Sequence, residues 1–275
     1  MVGRPALNKD TRLCISLAAR PSNIGTRFHN YLYDELGLDF VYKAFTTTDI
    51  AAAIGGVRAL GIRGCSVSMP FKRDVIALVD TMEDSALAID SVNTIVNDDG
   101  HLRASNTDYL AVARLIAEHR LHPDSSVLIR GSGGMASAVA SAFRDNGFRA
   151  GTIAARNGVT GRRLADRLGY DYAAQTPPGG ADIVVNVTPI GMAGGPEVDE
   201  LAFDESVIGK ARNVFDVVAL PSETPLIVAA RAVGVPVITG AEVIALQAAE
   251  QFERYTGVRP GAEQVAAASV FSRAQ

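Results

Sequence analysis

The sequence predicts an α/β protein of two domains, with C-terminal helices that return to the first. Three observations predict it. Short apolar runs alternate with longer amphipathic ones along the chain, the rhythm of strands with covering helices. A cluster of glycines stands near mid-chain where a fresh strand meets a helix. At 275 residues the chain is also long for one hydrophobic core.

In the first half, Arg12–Leu17, Phe40–Thr46 and Gly64–Met69 are rich in β-branched and aromatic residues and read as strands. Between them, Gly25–Leu36 and Thr48–Leu60 carry helical spacing, with Asp49 near the start of the second and Gly61 as its stop. Ser91–Val96 and Leu102–Ser105 flank Asp98-Asp99-Gly100, a strong hairpin-turn signal. This half predicts a mixed α/β domain.

A second sheet begins at Ser126–Arg130, followed by the glycine cluster and an Ala-rich helix that runs through Phe143 and stops at Asn146-Gly147. Strands are expected at Ala150–Ala155, Asp182–Val187, Asn213–Val218 and Val235–Ile238, and the last long helix at Val243–Tyr255. The pattern is that of a Rossmann-type nucleotide-binding domain. The joints fall near Thr107–Leu110 and near Gly240, so residues 1–107 with 241–275 form one domain and residues 108–240 the other.

Composition narrows the function. Hydrophobic residues make up 48% and charged residues 20%, as in ordinary globular proteins. A net charge of −4 gives no support to nucleic-acid binding. No apolar run is long enough to span a bilayer, and the N-terminal MVGRPALNKDTR lacks the apolar core of a secretion signal. Cys14 and Cys65 sit in strand-like apolar runs and read as buried thiols in a reducing cytoplasm. Four scattered histidines lack the spacing of a zinc site, and no metal is expected.

The cofactor is legible at the second sheet. Gly131-Ser132-Gly133-Gly134-Met135-Ala136 joins strand to helix, where glycines let backbone N–H groups approach a pyrophosphate at the helix N-terminus. The next strand ends without an acid, at Ala154-Ala155, and is followed by Arg156-Asn157, with Arg162 and Arg163 a turn later. An acid there would hold a ribose 2′-hydroxyl, whereas an arginine fork suits a 2′-phosphate. The expected cofactor is NADP.

Three further segments are unusual for scaffold. A buried strand runs into Pro70 with Lys72 just beyond it; Asn93 places an amide in an apolar run; and Asp108 follows Asn106-Thr107 at the domain joint. Singly, the lysine reads as a surface charge and the aspartate as a helix cap.

In order along the chain, these segments resemble the shikimate dehydrogenase family. Its GxNVTxPxK reads Gly64-Cys65-Ser66-Val67-Ser68-Met69-Pro70-Phe71-Lys72, its VNT and NTD read Val92-Asn93-Thr94 and Asn106-Thr107-Asp108, and its GxGGxA is the glycine cluster. NATxxGM reads Asn186 to Met192, TPL reads Thr224-Pro225-Leu226, and the late Gly…QAxxxFExxTG reads Gly240 and Gln247 to Gly257. The resemblance implies NADP-dependent interconversion of 3-dehydroshikimate and shikimate, in the cytoplasm, by a monomer or homodimer. It implies Lys72 and Asp108 as the catalytic pair. Asn93, Gln247, Ser68, Ser22 and Asn23 are implied for the substrate. The glycine cluster, Arg156, Asn157, Thr188, Val217 and Gly240 are implied for NADP, Gly240 by letting backbone approach the nicotinamide.

The sequence departs from the family where the substrate carboxylate is held. Counted back from His29-Asn30, the family's Ser-x-Ser-Pro is Asn23-Ile24-Gly25-Thr26. Its Asn and Thr of GxNVT are Ser66 and Ser68, its tyrosine of DxxYxP is Ala219, and the glycine after NTDxx is Ala111. The departures resemble the shikimate dehydrogenase-like subgroup. Arg20 and Arg27 are both candidates to replace the lost hydroxyls. Two alternatives follow: the same chemistry on quinate or another hydroxylated ring acid, or a non-catalytic NADP-binding sensor.

Overall fold

A computed structural model describes residues 3–274. The outermost residues of the predicted first domain, 1–2 (also the start of the N-terminal stretch) and 275, lie outside the described residues. Contacts group the chain into two units, one of residues up to Thr107 and from Ala245 on, the other Asp108–Ile244.

The first unit opens with β1 (Arg12–Ala18), α1 (Ile24–Leu36), β2 (Phe40–Thr46), α2 (Ile50–Ala59) and β3 (Gly64–Val67). A 3₁₀ turn (Asp74–Leu78) leads to β4 (Thr81–Met82), α3 (Asp84–Leu87), β5 (Thr94–Asp98) and β6 (His101–Ser105). The sheet order is β2-β1-β3-β5-β6-β4. The first three strands are parallel, while β5 is antiparallel to both β3 and β6. Both faces of the sheet are covered. On β1, Cys14 joins Phe28, Leu32, Tyr33 and Phe252 on one side, and Ile15 joins Ile54, Val57 and Val75 on the other. Strands covered on both faces read as unbroken apolar runs. Asp49 caps α2 by accepting from Ala52 N at 2.9 Å. The turn Asp99-Gly100 has φ of 52° and 93°, the positive pair that a two-residue hairpin loop requires.

The second unit runs α4 (Thr107–Glu118), β7 (Val127–Arg130), α5 (Gly134–Asp145), β8 (Gly151–Ala154), α6 (Gly158–Leu168), β9 (Asp171–Ala173) and β10 (Ile183–Asn186). Then come α7 (Glu205–Ile208), β11 (Asn213–Asp216), α8 (Pro225–Ala232) and β12 (Val237–Ile238). Its pairings are parallel and the sheet order is β12-β11-β10-β7-β8-β9. Counted from β7, that is the Rossmann order 3-2-1-4-5-6. Leu128, Val184, Val214, Phe203 and Leu226 fill one side of it. The chain passes back to the first unit inside α9 (Gly240–Thr256), whose Ala248, Phe252 and Tyr255 complete the first core. The last helix, α10 (Ala262–Arg273), lies against α1, with the Tyr31 and Phe271 rings 5.1 Å apart.

Most elements differ from expectation by one or two residues at an end, β11 stopping at Asp216 and β12 starting at Val237 among them, and three of the differences fall beside candidate site residues. Strand β3 stops at Val67 instead of Met69, because Phe71 N turns back to Ser68 O at 3.0 Å. Asn93 precedes β5 instead of lying within it. Helix α9 begins at Gly240, ahead of Val243. The short strands β4 and β9 are too brief to carry a period. Among the described residues, no helix is long and apolar enough to cross a membrane.

Candidate active site

In the first unit a buried polar cluster forms where β5, the end of β6 and α9 meet. Asn93 is 3% exposed and Thr107 fully buried. Asn93 Oδ1 accepts from Thr107 N at 2.8 Å, Thr107 Oγ1 at 3.1 Å and Thr94 Oγ1 at 2.8 Å. Three bonds occupy the oxygen, so the amide keeps its –NH₂ as the end available to a ligand. Gln247 donates from Nε2 to Thr107 Oγ1 at 3.1 Å, which leaves its oxygen as an acceptor. Asn106 donates to the Ser91 carbonyl at 3.0 Å.

Lys72 is partly buried at the turn beyond β3, and its carbonyl accepts from Val92 N at 2.8 Å. The lysine and the Asn93 segment are therefore tied through backbone. Asp108 lies in the first turn of α4, directly after the immobilised Thr107, where the helix N-terminus favours a carboxylate. Ser68, Ser22 and Asn23 are exposed, and Asn23 precedes α1 without a side-chain cap. Of the two candidate arginines, Arg27 is committed elsewhere: its guanidinium donates to the Ala274 carbonyl and lies 4.8 Å over the Phe271 ring. Arg20 is exposed at the end of β1, two residues before Ser22.

The second unit carries the glycine cradle. Gly131 has φ 130°, and a β-carbon there would stand 2.8 Å from Val187 Cγ2, so only glycine fits. A β-carbon at Gly133 or Gly134 would meet nothing within 4 Å, so the loop backbone is open to an approaching group. The first helical bond of α5 comes from Ser137 N to Gly133 O at 3.0 Å. The amides of Gly134, Met135 and Ala136 thus precede the hydrogen-bonded ladder and suit an anion. Ala136 itself is buried and offers only its N–H. Ser132 Oγ and Thr160 Oγ1 are 2.7 Å apart and join the loop to α6. These features fit a dinucleotide pyrophosphate. Arg156, 79% exposed, pairs with Glu197 at 3.5 Å. Asn157 caps α6 by accepting from Val159 N and Thr160 N. Arg162 stacks 4.4 Å over Tyr172.

The remaining predicted residues converge on one buried carboxylate. Asp216, fully buried, accepts from Asn186 Nδ2 at 3.0 Å, Val218 N at 3.0 Å and Thr224 Oγ1 at 2.7 Å. Burial pushes its pKa up to about 6, against these three bonds. Thr188 donates its hydroxyl to Asn186 Oδ1 at 2.6 Å, and Val217 N bonds to Asn186 O at 3.1 Å. At Gly240 a β-carbon would collide with the Val218 carbonyl. Its missing side chain makes room for protein backbone.

Comparison with known proteins decides the family. The model of the shikimate dehydrogenase substrate binding domain matches residues 23–95. The "shikimate dehydrogenase-like protein" of Haemophilus influenzae is 57% identical over 267 residues, 97% of this chain and 98% of that one. The chain belongs to the shikimate dehydrogenase family. A shikimate dehydrogenase (NADP(+)) of Rubrobacter xylanophilus is 34% identical, covering 93% of this chain and 94% of its own. The solved structure of a shikimate 5-dehydrogenase-like protein superposes with a TM-score of 0.96 at 56% identity, covering 98% of this chain and 100% of that one.

Within this shikimate dehydrogenase fold, several residues surfaced only in three dimensions. Gln251, 3% exposed, donates from Nε2 to Ser66 Oγ at 3.1 Å, Thr94 Oγ1 at 3.0 Å and Asn93 O at 3.3 Å. It stands one turn beyond Gln247, an i,i+4 spacing that signalled a shared face. Tyr42 is buried, and burial pushes the pKa of its hydroxyl upward. The Tyr42 ring stacks 4.3 Å from His29, whose Nδ1 bonds to Gly25 O at 2.9 Å. No local pattern announced that contact.

Proposed function

We propose that this chain interconverts 3-dehydroshikimate and shikimate with NADP, in the cytoplasm, as a monomer or homodimer. Residues 1–107 with 241–275 take the substrate and residues 108–240 take the cofactor. The observation that carries this reading is the Asn93–Thr107–Gln247 cluster immediately before Asp108. It leaves one donor and one acceptor in fixed positions, as neighbouring ring hydroxyls require.

NADPH, when bound, supplies the hydride. The amides of Gly134, Met135 and Ala136 meet the pyrophosphate, and Arg156 with Asn157 meets the 2′-phosphate. Thr188, Val217 and Gly240 shape the backbone on the other side of the sheet's centre. Lys72 Nζ donates a proton to the substrate oxygen that gains negative charge, and recovers it in the oxidative direction. The Asp108 carboxylate accepts from the substrate hydroxyl and keeps the exchanging proton local. Asn93 Nδ2 and Gln247 Oε1 orient the ring hydroxyls; an unpaired partner in such a site is costly.

The replaced serines favour a second reading, the same chemistry on quinate or another hydroxylated ring acid with weak shikimate turnover. Asn23 and Gly25 stand where the family has serines, and Arg27 is occupied with α10. Ser22, Asn23, Ser68 and Arg20 then share the carboxylate.

A spectrophotometric assay of NADP⁺ reduction with shikimate, quinate and related ring acids tests both readings. Turnover of one of them is expected, with Lys72→Ala lowering kcat by about 10²–10⁴-fold and NADP⁺ affinity unchanged. Full turnover in Lys72→Ala overturns the proton-transfer role, and inactivity on every acid overturns the enzyme reading in favour of a sensor.

A further inference from the structure

Arg156 is not alone beside the glycine cradle. Its guanidinium pairs with the Glu197 carboxylate at 3.5 Å, although 41 residues separate them. The two partners are unequally held. Glu197 is 23% exposed and Arg156 79%. The Glu197 carbonyl accepts from Gly191 N at 2.9 Å and Glu200 N at 3.2 Å, so its backbone is fastened to the loop after β10. Arg156 follows β8 at the first turn into α6 and projects into solvent.

A second guanidinium belongs to the same neighbourhood. Arg130 ends β7, the strand between β10 and β8, and donates to the Ala202 carbonyl. Burial and the charge of Arg156 push its pKa down, while Glu197, Asp204 and Glu200 oppose them. Two arginines and the anchored carboxylate therefore act on one another across the strand ends. The strand itself ends at Ala154 and is followed by Ala155, without an acid; the acid of this site comes from a different loop.

We propose that Glu197 is a specificity-determining residue for the cofactor, an internal counterion that competes with the 2′-phosphate for Arg156. The inference rests on the reading of Arg156 as the 2′-phosphate ligand. A phosphate that engages Arg156 takes the guanidinium from an anchored carboxylate and leaves two like charges a few ångströms apart. A 2′-hydroxyl brings no such charge and does not draw Arg156 from Glu197. Glu197 therefore narrows the preference for NADP⁺ over NAD⁺ that Arg156 creates.

Calorimetric titration of NADP⁺, NAD⁺ and adenosine 2′-monophosphate into the full chain tests this, with Arg156→Ala and the near-isosteric Glu197→Gln as variants. Glu197→Gln is expected to tighten NADP⁺ and adenosine 2′-monophosphate by about three- to tenfold. NAD⁺ should stay within about twofold, a control for folding, and the gain should shrink as salt is raised. An unchanged NADP⁺-to-NAD⁺ ratio in Glu197→Gln, while Arg156→Ala weakens NADP⁺, overturns the role of Glu197 alone. Weaker NADP⁺ binding in Glu197→Gln also overturns it, because the carboxylate would then be presenting Arg156 to the phosphate. Unchanged NADP⁺ binding in Arg156→Ala overturns the Arg156 reading and this inference with it.

Discussion

Thr107 reaches Asn93 twice, its N–H and its hydroxyl both ending on Asn93 Oδ1 at 2.8 and 3.1 Å. The residue before Asp108 is thus fixed by the same amide whose –NH₂ takes no part in these bonds. Asn93→Ala leaves three donors without their acceptor and should destabilise the fold by about 2–4 kcal/mol, read by chemical unfolding. Asn93→Asp keeps an oxygen in that place and replaces the donor end. It should unfold closer to the parent while raising the substrate KM by about tenfold or more. Equal KM values for Asn93→Asp and the parent would remove the amide from the substrate's contacts.

Gly25 bears on which acid is turned over. A β-carbon there would lie 3.6 Å from Tyr42 Oη, ordinary contact distance, so a serine fits. Asn23→Ser with Gly25→Ser should lower the shikimate KM by about tenfold, since each hydrogen bond to a carboxylate contributes about 1.5–3 kcal/mol before the cost of ordering. No improvement would mean that the carboxylate is bound elsewhere, with Arg20→Ala the next variant to measure.

Two of the buried ionisable groups, Asp216 and His29, give stability opposite pH slopes. Burial lifts Asp216 from 3.8 to about 6, so its contribution is present below 3.8 and is lost as pH rises through about 6. Burial lowers His29 from 6.5 to about 4, so its contribution is present above 6.5 and is lost as pH falls through about 4. Each shift corresponds to about 3 kcal/mol. Relative to the parent, Asp216→Asn should gain stability progressively between about pH 4 and about pH 7, as monitored by Tm. A constant difference across that window would show that Asp216 does not titrate there.

Gly240 admits no side chain because the Val218 carbonyl occupies the place of a β-carbon. Gly240→Ala should cost about 2–4 kcal/mol by overpacking. A variant with unchanged Tm would mean that the start of α9 shifts freely.

Much of the fold was legible because its cues are local. Phe40–Thr46 was expected as a strand and is one, since six of its seven residues are apolar, β-branched or aromatic and carry the signal by themselves. Strand β4, two residues long, exists only through its pairing with β6. At the site, Lys72, Asn93, Gln247 and the glycine cluster stand in short strings that could be ordered along the chain. The partners of Gln251, which lies in the same string as Gln247, and the place of Tyr42 could not be found that way. The amide of Gln251 matters through Ser66 and Thr94, which β3 and β5 bring to it, and Tyr42 through the ring of His29.

By itself the sequence determined the α/β rhythm, the Asp99-Gly100 turn, the open glycine loop and the residue types available for proton transfer. Each depends on a residue's own backbone preferences or on neighbours within a turn or two. Tertiary structure alone decided which end of Asn93 is bonded within the fold, that Arg27 is occupied while Arg20 is exposed, that Gly240 yields to backbone, and that Arg156 faces Glu197. A side chain's chemistry is written in its type, but its partner is whatever the packed chain brings within about 3 Å, and that distance exists only after the sheets have formed.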